Sequence, residues 1–480
     1  TARIPTRNDQ PAGTSSRETL FEHDERGRLV RIRHASGATL SREYDARDLP
    51  VREVDAGGVV RQRTYGLLGE LLETVIDPGG LALRYRHESD LLGRQVSFTD
   101  PAGATTSVRR DPLGRITETI LSDGSVFRRS YNAAGLLARE ESPDGSAVEY
   151  EYDAARRLIG FTATAGSGRL PVAPHRFAYD GANRIVRAES SGTVAIRRYD
   201  SLDRLTLDSF NGRAFKAEYD DRAMRMTLEF PDGRKEQHAW DALGRVTGIH
   251  LLSAGALPVD IGASSAGLLH EVRFIGAHRV AEERFASGAS GLWLHDGEGR
   301  LMRVDHLDPS GQAWVSARYR HDLLNRRRVS QIVGLHDSNL YYVYDSRGRL
   351  VEERSEFALA PLSDHPSQAE QNAAISAAES AAAGANRIQT WELTDADVRK
   401  TATVTEGGTT LVSVYTEGPA HRIVAVDGQP YQYDAGGVRI ADPYRLYVYD
   451  ALGRIARISR PSDGMVLMEF AYDPFGRLAQ

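Results

Sequence analysis

The 480-residue sequence contains no cysteine. Disulfides, thiolate metal sites and a cysteine nucleophile are therefore excluded. No apolar run approaches the roughly 18 residues of a membrane-spanning helix. The opening stretch, TARIPTRNDQ, has neither an initiating methionine nor an apolar signal core. We expect the chain to be a processed or excised piece of a longer protein.

Sequence motifs for nucleic-acid binding, metal binding and catalysis are equally scarce. The formal net charge is −6 and basic residues are interspersed with acidic ones, so we expect no nucleic-acid partner. Fourteen histidines form no His-Glu-x-x-His motif. GASSAG at 262–267 fails the spacing of a nucleophile elbow, and AGSGRLP at 165–171 lacks the Lys-Ser/Thr pair of a phosphate loop. We predict a protein that is not an enzyme, with no catalytic, metal or cofactor-binding residue.

What the sequence has instead is a repeat. The phrase Asp-Ala-Leu-Gly-Arg occurs at 241–245 and again at 450–454. It belongs to a head of the form aromatic-Asp-x-x-Gly-Arg-Leu, which recurs mostly every 20 or 21 residues. Phe274 begins a worn eighteenth head, and Tyr415 is a candidate for another. The first positions of the seventeen clear heads are His23, Tyr44, Tyr65, Ser89, Arg110, Tyr131, Tyr152, Tyr179, Tyr199, Tyr219, Trp240, His295, His321, Tyr344, Tyr433, Tyr449 and Tyr472.

Each unit also carries a second turn, about a dozen residues after the head, such as DAGG at 55 or PDG at 143. Asp, Pro and Gly favour turns for separate reasons, and only Gly adopts positive φ at no steric cost. Between the turns the sequence alternates, as in Val30 and Ile32 against Arg31 and Arg33. Period two indicates strands. Each unit is therefore predicted to be an antiparallel hairpin, with a parallel β-solenoid as the alternative.

So many hairpins cannot lie flat. Seventeen units give about 34 strands, or roughly 160 Å of ribbon at the usual strand spacing. Open twisted sheets rarely exceed about ten strands without curling. One full turn of this ribbon would be about 50 Å across, which is wider than side chains can fill. The predicted fold class is all-β: tandem hairpins coiled into a hollow cocoon or shell.

The wording of the heads resembles a known family. YDALGRI at Tyr449, YDSRGRL at Tyr344 and YDPFGRL at Tyr472 are similar to the YD repeats of the RHS (rearrangement hotspot) family, which includes the C component of insecticidal toxin complexes and, more distantly, teneurins. The resemblance runs from about residue 20 to 480. It implies a shell that holds a C-terminal toxin domain as cargo. It also implies further Rhs core segments, delivery proteins of the PAAR or VgrG type, and a chaperone as partners.

The resemblance implies a self-cleaving aspartyl-protease segment that lies downstream of YDPFGRL and ends in an Asp-Pro-x-Gly-Leu motif. We read no Asp-Pro pair of this chain as that motif, and the protease residues are not carried over. We interpret the Asp-Pro pairs as turns. They begin at Asp77, Asp100, Asp111, Asp308, Asp442 and Asp473.

We assign the repeated Asp to fixing a turn and the repeated Arg to stacking on, or pairing with, a neighbouring unit. Exposed pairs contribute only about 0 to 1 kcal/mol each, so packing across strands must supply most of the stability. The structural repeat residues are Tyr44, Asp45, Tyr152, Asp153, Tyr179, Asp180, Tyr199, Asp200, Tyr219, Asp220, Trp240, Asp241, Tyr344, Asp345, Tyr433, Asp434, Tyr449, Asp450, Tyr472 and Asp473.

Two stretches interrupt the repeat, at 247–294 and 355–430. The second contains an Ala-rich segment that begins with a Ser-x-x-Glu capping box at Ser367 and Glu370 and predicts a helix over about 367–384. A surface excursion, a plug that contacts the cavity or cargo, and disorder remain alternatives for it. We predict a lead-in segment over 1–19 and one array over 20–480.

Three functions are compatible with these observations. The first is a shell of an Rhs-type secreted toxin, made in the cytoplasm and delivered by a bacterial secretion system such as type VI during interbacterial competition. The second is an extracellular adhesion or carbohydrate-binding module. The third is a self-processing protease core, whose motif is expected outside this chain.

Overall fold

A computed structural model describes residues 2–5, 18–34, 37–253, 267–296, 298–334, 336–364 and 366–478. These residues form 42 strands, one α-helix and a short 3-10 turn. The prediction of an all-β chain of tandem antiparallel hairpins with one helix is confirmed. No helix in these ranges is both long and apolar enough to cross a membrane.

The strands follow one another along the whole chain. The first fifteen are β1 (Ala2–Pro5), β2 (Glu18–His23), β3 (Leu29–Arg33), β4 (Thr39–Tyr44), β5 (Pro50–Val54), β6 (Val60–Tyr65), β7 (Leu71–Ile76), β8 (Leu83–Ser89), β9 (Gln95–Thr99), β10 (Thr105–Arg110), β11 (Ile116–Ile120), β12 (Val126–Tyr131), β13 (Leu137–Glu141), β14 (Ala147–Tyr152) and β15 (Leu158–Thr164). The next fourteen are β16 (Arg169–Leu170), β17 (His175–Tyr179), β18 (Ile185–Ser190), β19 (Thr193–Tyr199), β20 (Leu205–Phe210), β21 (Arg213–Asp220), β22 (Arg225–Glu229), β23 (Lys235–Trp240), β24 (Val246–Ser253), β25 (Leu268–Ile275), β26 (Arg279–Phe285), β27 (Ser290–His295), β28 (Leu301–Leu307) and β29 (Ala313–His321). The last thirteen are β30 (Arg327–Gly334), β31 (Ser338–Tyr344), β32 (Leu350–Ser355), β33 (Arg387–Leu393), β34 (Arg399–Glu406), β35 (Thr409–Glu417), β36 (Ile423–Val426), β37 (Gln429–Pro430), β38 (Gln432–Tyr433), β39 (Arg439–Asp442), β40 (Arg445–Asp450), β41 (Ile455–Ser459) and β42 (Val466–Glu469).

Strand pairing follows chain order. One 36-stranded sheet contains β1–β15 and β17–β37, and a six-stranded sheet contains β38–β42 with β16. Successive strands are antiparallel neighbours, for example β5 with β6 and β6 with β7. The exception is β16, which pairs parallel with β40. The parallel-solenoid alternative is therefore wrong, because its neighbouring strands would run in the same direction.

Each head is a turn closed by its aspartate, which we call a head turn. In the head turn at 90–94, the Asp90 carboxylate accepts hydrogen bonds from the backbone N–H of Leu92 at 2.9 Å and of Arg94 at 3.0 Å. Gly93 has a φ of 75°, where a side chain would be strained. A register shift immediately before Ser89 marks a bulge. The bulge re-aims the strand into the turn, so the sequence builds this geometry locally.

Successive heads are also tied to each other. The Arg28 guanidinium pairs with Asp24 at 2.7 Å and lies 4.9 Å above the ring centroid of Tyr44 in the next head. The Tyr44 hydroxyl in turn donates to the carbonyl of Leu29 at 2.8 Å. The same hydroxyl-to-carbonyl bond is made by Tyr65, Tyr131, Tyr152, Tyr179, Tyr199, Tyr219, Tyr344, Tyr433, Tyr449 and Tyr472.

Three heads need comment. Phe274 follows a register shift like that of the other heads, as its sequence suggested. The head near Tyr415 begins two residues later, since the shift falls between Thr416 and Glu417. A further head at Leu393 was missed, because it has neither the aromatic nor the Asp. The backbone pairing and the bulge are thus present even at heads that lack the usual aromatic and Asp side chains.

The helix α1 (Gln368–Ala382) begins at the predicted capping box. The Glu370 N–H donates to Ser367 Oγ, and the Ser367 N–H donates to Glu370 Oε2. Ile375 and Ala378 lie on the buried face of α1. They join a hydrophobic core with Val329, Tyr341, Phe357, Leu362 and Ala382. The helix is therefore packed against β29–β31 rather than disordered.

The predictions for GASSAG and for the Asp-Pro pair at Asp77 have different outcomes. GASSAG at 262–267 lies outside the described residues except for its last glycine, Gly267. The segment at 77–81 reads Asp-Pro-Gly-Gly-Leu, which matches the wording of the family's cleavage motif. In the structure it is a turn: Gly80 N–H donates to the Asp77 carbonyl at 3.0 Å, and Leu81 N–H donates to the Asp77 carboxylate at 3.1 Å. The interpretation of this pair as a turn agrees with that geometry.

Candidate functional site, the seam between two coils

The ribbon returns on itself. Residues in the first coil (55–210) contact residues in the second coil (321–478). Arg347 and Tyr85 are hydrogen-bonded although 262 residues separate them in sequence. His421 and Asp100 are hydrogen-bonded across 321 residues. We call this line of contact the seam. Because hairpins bond only their neighbours along the ribbon, the seam is what holds one coil on the next.

The most buried part of the seam is an ion network around Arg169. Its guanidinium pairs with Asp144 at 2.7 Å in the first coil and with Asp434 at 2.5 Å in the second. The three side chains are only 6%, 2% and 10% exposed. Burial opposes ionisation of Asp144, but the Ser146 backbone hydrogen bond and Arg169 outweigh it and lower the Asp144 pKa. Removing one partner would leave a buried charge unpaired.

A short loop brings Arg169 to this position. Arg169 and Leu170 form β16, which pairs with Tyr449 and Asp450 of β40. The Ala451 N–H donates to the Leu170 carbonyl at 2.8 Å. The sequence AGSGRLP therefore builds the bridge between coils.

A second contact centres on His421. Its Nε2 lies 2.6 Å from Asp100 Oδ2 in the first coil, and its Nδ1 lies 2.5 Å from Glu417 Oε1 on its own side. Burial opposes the charge, but hydrogen bonds to Glu417 and Asp100 outweigh it and raise the His421 pKa. Ala420 and His421 have positive φ values of 55° and 59°. Non-glycine residues rarely adopt this backbone, so His421 reaches Asp100 from an uncommon turn conformation.

The remaining contacts extend the seam in both directions. Arg422 pairs with Asp123 at 2.9 Å. Arg477 pairs with Asp208 at 2.8 Å. Leu324 lies so close to Gly57 that a Cβ added to Gly57 would be 2.6 Å from Leu324 Cδ1. The seam therefore consists mainly of polar contacts, with apolar packing at Leu324.

Most contacts of the seam join the same two kinds of turn; Tyr85 and Asp208 contribute from within strands instead. The first coil contributes its second turns, such as those containing Gly57, Asp100, Asp123 and Asp144. The second coil contributes its head turns, such as those containing Leu324, His421, Arg422 and Asp434. We call the two margins of the ribbon the second-turn edge and the head edge. The second-turn edge of the first coil thus lies against the head edge of the second.

The residues assigned to the structural repeat divide between the two coils and the stretch connecting them. Asp434, Tyr449 and Asp450 lie in the seam. Tyr44, Tyr152, Tyr179 and Tyr199 instead join neighbouring heads within the ribbon. Their structural role stays a prediction, which variants must test.

Sequence reasoning missed the seam residues Asp100, Asp144, Arg169 and His421. One signal was available, since the step from Tyr152 to Tyr179 is 27 residues instead of 21. The extra residues form the loop that carries β16. Asp100, Asp144 and Arg169 had no signal of their own, because Asp and Arg recur in most units.

No arrangement for metal chemistry is evident in the described parts of the chain, where no group of three or more His, Asp or Glu side chains could hold an ion. Three histidines instead have lowered pKa values, which favour the neutral imidazole. Burial lowers the pKa of His175 and His295, and lowers that of His321 to about 4. What the geometry provides is a wall whose coils are fastened edge to edge.

Comparison with known proteins gives three kinds of similarity. The RHS Repeat family model matches residues 90–126 and 131–169. The Double-stranded DNA deaminase toxin A of Burkholderia cenocepacia (strain H111) is 24% identical, over 94% of this chain and 30% of that protein. The Probable deoxyribonuclease RhsB of Dickeya dadantii (strain 3937) is 24% identical, over 70% of this chain and 25% of that protein. The chain thus spans less than a third of these relatives' length.

Solved structures show the same fold. The Photorhabdus luminescens Tc holotoxin pore structure matches with a TM-score of 0.71 at 13% identity, over 97% of this chain and 27% of that one. The TcdB2-TccC3 crystal structure matches with a TM-score of 0.59 at 14% identity, over 96% of this chain and 26% of that one. At such identities the likeness concerns the fold.

Proposed function

The chain belongs to the RHS/YD-repeat family, and we propose that it forms a wall of a shell that encloses a toxin domain and protects it until delivery. The observation that carries this proposal is the seam. An open ribbon would leave its cargo accessible. The contacts of Arg169, His421 and Leu324 between coils support a wall without a gap at these positions.

The names of the relatives support a toxin as cargo, since one is called a deaminase toxin and the other a deoxyribonuclease. We assign such activity to a C-terminal domain outside this chain, and none to the wall. In this proposal the toxin leaves the producing cell through a bacterial secretion system. PAAR or VgrG-type proteins and a chaperone are the partners that such delivery would need.

Protease protection tests the proposal. The natural protein that contains this chain and its toxin domain is treated with protease, and survival of the toxin domain is followed over time. We expect survival in the wild type and accelerated cleavage in an Arg169→Met variant, because the seam then contains unpaired carboxylates. Arg176→Met is the matched control, since Arg176 pairs with Glu151 with both side chains about half exposed.

Rapid cleavage of the toxin domain in the wild type would contradict the shell. Binding of the chain to a glycan array, together with unprotected cargo, would instead favour the adhesion or carbohydrate-binding alternative.

A further inference from the structure

The segment between β32 and α1 lies across the same sheet face as α1. We call residues 356–364 the strap. Two of its side chains, Phe357 and Leu362, are 8% exposed and belong to the hydrophobic core that includes the buried face of α1. The strap itself forms neither helix nor strand. Its position therefore depends on the side chains of the sheet beneath it.

Polar side chains of β30 and β31 hold the strap by its backbone. Gln331 Nε2 donates to the Ala360 carbonyl at 3.2 Å, and Gln331 Oε1 accepts from the Leu362 N–H at 2.9 Å. Asn339 Nδ2 donates to the Phe357 carbonyl at 2.8 Å. These bonds bring the end of the strap over three arginines of β28 and β29.

The three arginines outnumber the carboxylates with which they pair. Arg303 pairs with Asp305 at 2.7 Å and with Asp364 of the strap. Arg318 pairs with the same Asp364 at 3.0 Å. Arg320 is only 1% exposed, and no carboxylate in the described part of the chain lies within ion-pair distance of it. The end of the strap thus supplies one negative charge too few.

Arg320 is held by neutral acceptors alone. Its Nη1 donates to the Tyr319 carbonyl at 2.7 Å and its Nη2 to the Ser363 carbonyl, whereas its Nε has no hydrogen-bond partner among the described residues. Burial, together with the charge of Arg318, lowers the Arg320 pKa to about 10. Because a buried charge without a counter-charge is costly, an anion beside Arg320 would stabilise the strap on the sheet.

The Ser363 hydroxyl occupies the position where that anion is missing. Its Oγ lies 3.4 Å from Arg320 Nη2. Ser363 is exposed, so a second protein can reach it. A phosphoryl group on this oxygen adds close to two negative charges and three strong acceptor oxygens. Arginine clusters recognise such groups through charge-assisted hydrogen bonds.

We propose that Ser363 is a phosphorylation site, and that its phosphoryl group pairs with Arg320 and locks the strap onto the sheet. The phosphoryl donor is a nucleoside triphosphate bound by a protein kinase. Ser363 Oγ forms a bond to the γ-phosphorus while the bond from that phosphorus to the bridging oxygen breaks. The hydroxyl proton passes to a base of the kinase, and the nucleoside diphosphate leaves. The site does not depend on what the wall encloses.

Mass spectrometry of the natural protein, isolated from the cells that produce it, tests the modification. Trypsin releases residues 355–387 as one peptide, and its fragmentation shows which serine carries a phosphoryl group. We expect the group on Ser363 and not on Ser376, an exposed serine of α1. A protein without phosphate on Ser363 would overturn the proposal.

Substitutions in the 480-residue chain test the contact with Arg320. Ser363→Glu supplies a negative charge, and Ser363→Gln has nearly the same shape without it. Hydrogen exchange of the Leu362 N–H reports opening of the strap, since this N–H is bonded to Gln331. We expect exchange to be at least about ten times slower in the glutamate variant than in the glutamine variant, because hydrogen bonds between charged groups are strong.

Two matched pairs complete this experiment. In an Arg320→Met background the ratio of the two exchange rates is expected to fall to about one, and this background should fold because a buried charge is replaced by an apolar side chain. Ser376→Glu and Ser376→Gln should exchange Leu362 N–H at equal rates. Equal rates in the two Ser363 variants, or a ratio that persists without Arg320, would overturn the contact.

Discussion

The head turns of the first and second coils have the same internal design and different surroundings. In both, an aspartate accepts backbone N–H bonds and pairs with an arginine four residues later, as in Asp90 with Arg94 and Asp322 with Arg326. In the second coil the turn tips face the seam, whereas in the first coil they are exposed. The residues of a head turn therefore determine its hydrogen bonds and backbone conformation. Whether its tip is buried depends on which edge of another coil lies against it.

The largest expected effect is at the buried ion network that joins the two coils. Arg169→Met leaves Asp144 and Asp434 buried without their cation, and we expect a loss of about 3–5 kcal/mol in the free energy of unfolding. Urea denaturation of the 480-residue chain measures it.

Arg176→Met supplies the comparison, with an expected loss of about 0–1 kcal/mol because its ion pair is exposed. Similar losses in the two variants would show that the seam is not a point of special stability.

An intermediate effect is expected from Leu324 and Leu92, which occupy the same position in the head turns DLLNR and DLLGR. Leu324→Ala removes packing from the seam, and because the side chain is half-buried we expect a loss of about 1–2 kcal/mol in unfolding free energy. Leu92→Ala in the same chain should change it by less than about 0.5 kcal/mol. Thermal and urea denaturation of both variants make the measurement. A larger loss from Leu92→Ala would contradict the 75% exposure of the Leu92 side chain.

The smallest expected effect is the pH dependence of the seam. The folded His421 pKa is raised, so its pairing with Asp100 and Glu417 is fully present below the unfolded pKa of about 6.5 and is lost as pH rises through the folded value. We expect wild type to lose up to about 1 kcal/mol relative to His421→Asn between about pH 6 and pH 9. Urea denaturation across that range measures the difference.

His321 provides a contrast of opposite sign. Burial lowers its pKa to about 4, so it costs no stability above the unfolded pKa and costs stability progressively as pH falls from about 6.5 toward 4. A variant His321→Gln should therefore differ from wild type in its acid response only. If His421→Asn behaved in the same way, the seam contact would not involve a charged imidazole.

Much of the fold was predictable from the sequence because its causes are local. The alternation around Val30 and Ile32 predicted strands, and the Asp and Gly of heads such as 90–94 predicted turns. The capping box at Ser367 and Glu370 predicted where α1 begins. The head at Leu393 was not predictable in this way, because the backbone forms its bulge without the usual side chains.

The seam was beyond sequence reasoning for a different reason. Asp100 and Asp123 look like any other turn aspartate, and nothing near them identifies His421 or Arg422 as partners about 300 residues away. Which units meet depends on the number of hairpins in one coil. That number depends on a curvature summed over many small strand-to-strand twists.

By itself, the sequence determined the hairpin unit, its period and the position of the single helix, since hydrogen bonds within about 21 residues specify each of them. Only the tertiary structure decided which edge of one coil lies against which edge of the next. It therefore decided that Leu324 is packed and Leu92 is exposed. The physical reason is that identical local turns acquire different environments once a long twisted ribbon closes on itself.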